Sequence, residues 1–329
     1  MKPYKAMILA AGLATRLRPL TLTRPKVLIP VQGRPLLHWL VEYLWSGGAE
    51  EIIVNGYHLS EKLLDYVDRE DFPIPVHLRI EEILLGTGGG IRNVADFWDD
   101  RPFVVVNGDI LSSIDLQELL SSHESSGATV TLVLKDEPRF NGVQVAEDGR
   151  ILGFRGGADQ HLAFTGIQVM DPRVLASIPA DAPISIIDTY LDLISSGDKV
   201  MAHVVKEQFW RELGSPEGYL HVHQEFSQMQ SAPVPGLPVG GEPVVHESAR
   251  LGPGVRLDGM VCIGADCDLE NGAVVQESVI WDQVQVRAGC SVRDCIIGDG
   301  VVVTESLKGL VIGSEVRKEL GTVKQAGGS

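Results

Sequence analysis

Lys5-Ala-Met-Ile-Leu-Ala-Ala-Gly-Leu-Ala-Thr-Arg16 opens as a short apolar run, breaks at small residues and turns cationic. Residues 6–10 have the length and content of a buried strand, and residues 11–16 then form a loop at its carboxyl end. Open α/β sheets place their ligands at that end of their strands. Small residues there let backbone N–H groups approach a phosphate or a base, and Arg16 adds a fixed charge. Taken alone, the same pattern also suits a tight turn with solvated arginines. The surrounding text decides between the two.

Outward from this strand, short Val- and Ile-rich runs at 51–55, 76–80, 103–107 and 129–134 alternate with helical spacing at 35–46, 60–68, 90–97 and 116–122. Such alternation predicts a Rossmann-like, mostly parallel sheet with helices on both faces. Asp115 with Glu118 reads as a capping box. Residues 141–205 are less regular: 142–145 and 151–154 read as a hairpin around Glu147-Asp-Gly149, with a further strand at 164–170, together an antiparallel extension over the sheet. A helix at 216–228 runs into the Pro- and Gly-rich stretch 231–243, which reads as a linker. The expected organisation is an α/β domain at 1–230, that linker, a repeat domain at 244–313 and a tail at 314–329.

The repeat domain shows in its period. Apolar residues fall every six positions at Val245, Leu251, Leu257, Ile263, Leu269 and Val275, then after one-residue slips at Ile280, Val286 and Val292, and at Ile297 and Val303. No helix keeps one face at a period of six, whereas three flat strands per turn do. The pattern resembles the hexapeptide repeat of left-handed parallel β-helices, with about four coils. The same phase places Cys267 and Cys290, one from each of the two C-x4-C pairs, at small inward positions, which speaks against a zinc site.

With 329 residues and 44% hydrophobic content the chain can bury one large core and a smaller one. Its formal net charge of −16 speaks against nucleic acid or an anionic membrane as partner, since both reward clustered Lys and Arg. No stretch approaches the roughly 20 apolar residues of a membrane span. The run at 7–12 is short for a signal peptide and is followed by Arg16 and Arg18 instead of a cleavage site. Four cysteines do not make a disulfide scaffold in a chain of this length, so the cytoplasm is the expected setting. His221 and His223 stand two apart on a helix and cannot clamp one metal. Trp39, Leu40 and Tyr43 read as helix core.

A second cation, Lys26 in Pro25-Lys26-Val27, and the turn Gly33-Arg34-Pro35 follow the opening loop. At this point the text resembles the nucleotidyltransferase family that makes nucleotide sugars, whose signature is a glycine-rich loop, Thr-Arg, Pro-Leu-Thr and Pro-Lys. Ala14 stands where glycine is more usual. Two further matches follow in order. Leu85-Gly-Thr-Gly-Gly-Gly90 is similar to the loop that borders the nucleobase, with Glu81 and Glu82 just before it. Asn107-Gly108-Asp109 is similar to the Gly-Asp that holds magnesium. Trp210-Arg-Glu-Leu-Gly-Ser-Pro216 resembles the segment carrying the second metal carboxylate, with Glu212 where aspartate is usual. Its extra methylene displaces the oxygen by about an ångström, enough to matter where positioning sets the rate.

The resemblance implies a site in which Leu9, Ala11, Gly12, Leu13, Ala14, Thr15, Glu81, Gly86, Thr87 and Gly88 bind the nucleotide. It implies Asn141, Gly142, Thr165 and Gly166 beside the sugar, with Arg155 in place of the family's lysine on the sugar phosphate. Arg16 would steady the leaving pyrophosphate and Lys26 the α-phosphate, while Asp109 and Glu212 would hold Mg2+, which suits carboxylate and phosphate oxygens. The implied reaction is in-line attack of a sugar 1-phosphate on a nucleoside triphosphate, with GTP and mannose 1-phosphate the preferred pair. A UTP-dependent uridylyltransferase for an amino-sugar 1-phosphate and a non-catalytic regulatory subunit of the same fold remain the alternatives. The β-helix is expected to serve assembly into a homo-oligomer. Acyl transfer is a poorer reading, with His246 its only histidine.

Overall fold

The computed structural model describes residues 2–154, 161–180, 182–314 and 317–320. The chain forms two compact units that interleave along the sequence: Met1–Gly12 with Leu40–Trp210, and Leu13–Trp39 with Arg211–Ser329. The residues after the opening strand, 13–39, therefore belong to the unit that contains the C-terminal repeats.

The first unit is a nine-stranded sheet. Its strands are β1 (Tyr4–Leu9), β2 (Ala49–Gly56), β3 (Val76–Ile80), β4 (Phe103–Asn107), β5 (Val130–Lys135), β6 (Asn141–Val145), β7 (Ile151–Phe154), β8 (His161–Met170) and β9 (Val200–Val205). The order runs β7-β6-β8-β4-β1-β2-β3, with β5 pairing β8 and β9 pairing β5. The block β4-β1-β2-β3 is parallel and β9 is parallel to β5, whereas β8 is antiparallel to both β4 and β5. The sequence places residues 142–170 over the sheet; instead they pair into it, because the backbone of β6 and β8 finds ladder partners there.

Helices α1 (Leu36–Ser46), α2 (Ser60–Arg69), α3 (Gly86–Arg92), α4 (Leu116–Ser126) and α5 (Ile186–Ser195) connect the strands, and the division between the units falls within α1. Of the expected capping box at α4 the structure shows the Asp115 half, whose carboxylate accepts the Gln117 and Glu118 N–H groups. The core contains Met7, Ile53, Ile91, Phe103, Val105, Leu132, Tyr190 and Leu193, all essentially inaccessible. One helix boundary differs from expectation. Spacing predicts a helix at 90–97, but α3 begins at Gly86, so the glycine run forms the helix rather than preceding it.

The second unit carries α6 (Pro216–Gln228) and the stacked coils. Val244 pairs in parallel with Cys262, Arg256 with Val274, Val274 with Ser291 and Val292 with Leu307. Coils thus advance by 18, 18, 17 and 15 residues: the first one-residue slip in the sequence is the shortening from 18 to 17, and the last coil is shorter by two more. Corners recur at left-handed residues in columns, such as Asp266, Gln283 and Gly300 with φ of 55°, 60° and 67°. Cys267, Leu269, Val275, Ile280, Val286, Cys290, Val292 and Ile297 fill the coil interior. Leu251, expected among them, is 44% exposed, because the first coil has no preceding coil to cover it. All four cysteines are buried and reduced.

Candidate active site

In the first unit the parallel register aligns three strand ends. Leu9 is opposite both Asn55 and Asn107, so the carboxyl ends of β1, β2 and β4 form one row. The Gly108 N–H donates to the Leu9 carbonyl at 2.8 Å, which fixes the turn that presents the half-buried Asp109 two residues beyond β4. Ala11 is buried and Gly12 exposed where β1 gives way to the loop.

Asn55, which belongs to none of the sequence motifs, is the penultimate residue of β2. Its Oδ1 accepts the Ala10 N–H at 2.7 Å, and its Nδ2 donates to Glu81 Oε1 at 2.7 Å. The second Glu81 oxygen accepts the Leu85 N–H at 3.0 Å. Glu81 is 3% exposed with both oxygens engaged, so it ties the end of β1 to the turn before α3, and Glu82 is the exposed carboxylate of the pair. The available signal was a polar residue closing the apolar Ile52-Ile-Val54 run: a buried amide requires partners.

The glycine run has a packing role. Gly88 and Gly89 donate to the Ile184 carbonyl at 2.9 and 3.4 Å, and the Thr87 hydroxyl accepts the Ile186 N–H at 2.9 Å. Gly86 has φ +73°, and a Cβ there would stand 2.6 Å from the Ile184 oxygen. Gly86 and Thr87 remain exposed, whereas Gly88 is buried. A cavity of about 650 Å³ opens nearby, lined among others by Glu82, Ile83, Leu85, Arg92 and Asn93.

The residues expected at the sugar divide in the same way. Thr165 is 1% exposed and its hydroxyl donates to the Val133 carbonyl at 2.9 Å; its own carbonyl accepts from Trp210 Nε1 at 2.8 Å. Gly166, φ +80°, lets β8 pass close to the Asn107 side chain. Asn141 spends its amide on Glu137 N and Asp136 Oδ1, both at 2.9 Å, and Gly142 beside it is partly exposed. Arg155 lies outside the described residues.

In the second unit, Leu13 and Thr15 are exposed, and the half-buried Ala14 between them adopts φ 48° and ψ 44°. The Ala14 carbonyl accepts the Leu17 N–H at 3.1 Å and the Thr21 hydroxyl at 2.9 Å. An alanine in this left-handed turn costs about 1 kcal/mol relative to the more usual glycine. The turn aims Arg16 outward, and its Nη2 meets Glu212 Oε1 at 2.6 Å. The two side chains pack over Gly214, where a Cβ would fall 2.6 Å from Arg16 Nη2 and still nearer Glu212 Oε1. Lys26 is half-buried in a turn closed by the Ile29 N–H on the Lys26 carbonyl at 3.1 Å. Among the described residues, no three His, Cys, Asp or Glu side chains cluster as a ready metal cage.

Comparison with known proteins identifies the family. A family model described as nucleotidyl transferase matches residues 5–229, and one described as the GMPPB C-terminal domain matches residues 239–323. A mannose-1-phosphate guanylyltransferase of Mycobacterium tuberculosis is 33% identical over 297 residues, spanning 88% of this chain and 82% of that protein. A UTP--glucose-1-phosphate uridylyltransferase of Synechocystis is 29% identical over 338 residues, spanning 89% and 87%. Among solved structures, HddC from Yersinia pseudotuberculosis complexed with GMP-PN superposes with a TM-score of 0.60 at 25% identity, covering 68% of this chain and 99% of that one. Family matches across both parts of the sequence, and a strand-end row where this fold binds its ligands, show that the chain belongs to the nucleotidyl transferase family.

Proposed function

We propose that this protein transfers the guanylyl group of GTP to mannose 1-phosphate and releases pyrophosphate. The observation that carries the reading is the Arg16–Glu212 contact: residues 196 apart, one suited to a polyphosphate and the other to a metal, meet at 2.6 Å. Each neutralises the other's charge in this structure; a triphosphate would compete for the guanidinium, and Glu212 would then be available to a metal ion. Relatives that bear the name mannose-1-phosphate guanylyltransferase, in Mycobacterium tuberculosis and in rice, support this choice of substrates.

In the reaction a phosphate oxygen of the sugar forms a bond to the α-phosphorus, and the bond from that phosphorus to the pyrophosphate oxygen breaks. Arg16 neutralises the leaving pyrophosphate and Lys26 the α-phosphate, which supplies rate by alignment and electrostatics rather than covalent chemistry. Asp109 and Glu212 would hold magnesium. Their donors are hard carboxylate oxygens, which suit an ion whose shell substrate phosphates and water would complete. Such an ion would supply Lewis-acid neutralisation of the phosphate charge.

The test is pyrophosphate release from the common triphosphates paired with mannose, glucose and amino-sugar 1-phosphates, with magnesium and with chelator. GTP with mannose 1-phosphate should turn over fastest, and chelator should abolish it. Turnover only with UTP and an amino-sugar phosphate would establish the uridylyltransferase alternative. Nucleotide binding without turnover by any pair would establish a regulatory subunit. Arg16→Ala should lower turnover about 10²- to 10³-fold with little change in melting temperature, since Arg16 is 64% exposed. We also propose that the stacked coils mediate a homo-oligomer; light scattering that finds a monomer at every concentration would refute it.

A further inference from the structure

We propose that Arg24 is a positioning residue through which the β-helix fixes the phosphate-binding segment 24–30. Arg24 donates from Nε to Asp299 Oδ2 at 3.0 Å and from Nη2 to Asp299 Oδ1 at 2.7 Å, and the same Nη2 reaches Asp282 Oδ2 at 2.6 Å. Asp282 and Asp299 stand 17 residues apart, one coil above the other, so a single guanidinium spans two coils. The carboxylates are themselves set by the coil backbone. Asp282 Oδ1 accepts the Ala265 N–H at 2.9 Å, and Asp299 Oδ1 accepts the Asp282 N–H at 3.3 Å. The fully buried Trp281 lies under the guanidinium, 5.1 Å from its central carbon to the ring.

The other end of the segment is held from the same coil. Trp281 Nε1 donates to the Tyr219 hydroxyl at 3.1 Å, and that hydroxyl donates to the Pro30 carbonyl. Two consecutive β-helix residues, Trp281 and Asp282, thereby pin both ends of a seven-residue stretch with Lys26 inside it. Only Pro25 separates Lys26 from the anchor, and the trans-peptide spacing keeps their Cα atoms within about 7.6 Å. The Arg24 side chain is 16% exposed, against 34% and 22% for Asp282 and Asp299. A partly buried cluster of this kind stabilises a fold no better than an apolar contact of equal volume; what a planar fork adds is a fixed geometry.

The inference rests on reading Lys26 as the α-phosphate cation. A displacement of about 1 Å costs about 10²-fold in such a site, so loosening the anchor should act on kcat. The experiment compares Arg24→Ala, Arg24→Lys and Asp282→Asn/Asp299→Asn in the full chain, at a temperature well below each melting point, with GTP and mannose 1-phosphate. Arg24→Ala and the double variant should lose about 10- to 100-fold in kcat with KM for GTP moving less than about threefold, and Arg24→Lys should recover part of the loss. The double variant is isosteric and decides the matter if Arg24→Ala does not fold. A kcat within about twofold of wild type in the folded variants, or a change confined to KM, overturns the proposal. Lys26→Ala separates the two readings. If it retains full turnover, the role of Lys26 falls; if it abolishes turnover while the anchor variants keep theirs, only the positioning role falls.

Discussion

Gly86 shows how little latitude single positions have at this site. Its φ of +73° and the 2.6 Å gap between a would-be Cβ and the Ile184 carbonyl leave a side chain neither conformation nor space, and backbone cannot rotate away as a side chain would. Gly86→Ala should lower stability by about 2 kcal/mol or more, measured by urea unfolding. Glu81 makes a second case. Both of its oxygens accept hydrogen bonds, from Asn55 Nδ2 and Leu85 N–H, so Glu81→Gln sets one donor against another and should cost about 1–3 kcal/mol in the same assay. That Glu81 stands beside the glycine turn was legible in the sequence, but its inward direction was not. The sequence carries the identity of a carboxylate, whereas the buried Asn55 that captures it is 26 residues away.

Among the elements, α6 gives a pH-dependent prediction. His223 is 0% exposed, packs edge-on against Tyr219 with ring centroids 4.8 Å apart, and faces Cys262 Sγ at 3.3 Å from Nδ1. Burial pushes its pKa from 6.5 down to about 3, the Pro30 backbone opposing only in part. The folded state therefore refuses a proton that the unfolded chain takes up. The stability so conferred is complete above pH 6.5 and drains away as pH falls from there towards about 3, by up to about 1.4 kcal/mol per unit. Urea unfolding near pH 7 and near pH 5 should show that slope, and His223→Leu should flatten it. In the repeats, Leu269→Ala should cost about 2–5 kcal/mol, since Leu269 is wholly inside the coil stack, whereas Leu251→Ala on the uncovered first coil should cost far less. The period of six revealed the stack because every coil repeats the same inward demand. The start of α3 did not show, because Gly86–Gly90 reads as a breaker until Ile184 packs against it.

For the whole molecule, no helix among the described residues is long and apolar enough to cross a membrane. A protein with a formal net charge of −16 that takes up a polyphosphate must do so at a few placed cations. GTP at about 100 times its Kd should raise the unfolding free energy by about 2.7 kcal/mol and the melting temperature accordingly; a thermal-shift series over the common triphosphates would rank the bases. The family, the alternation of strand and helix and the stacked repeats could all be read from local pattern, because periodicity and motif order are properties of neighbouring residues. Residues 13–39 joining the C-terminal unit, the Arg16–Glu212 contact and the fork of Arg24 on Asp282 and Asp299 could not be read that way. The sequence by itself determined which motif residues this protein carries and in what order. The tertiary structure alone decided which of them meet, because contacts between residues about 200 to 275 positions apart depend on how strands and coils stack.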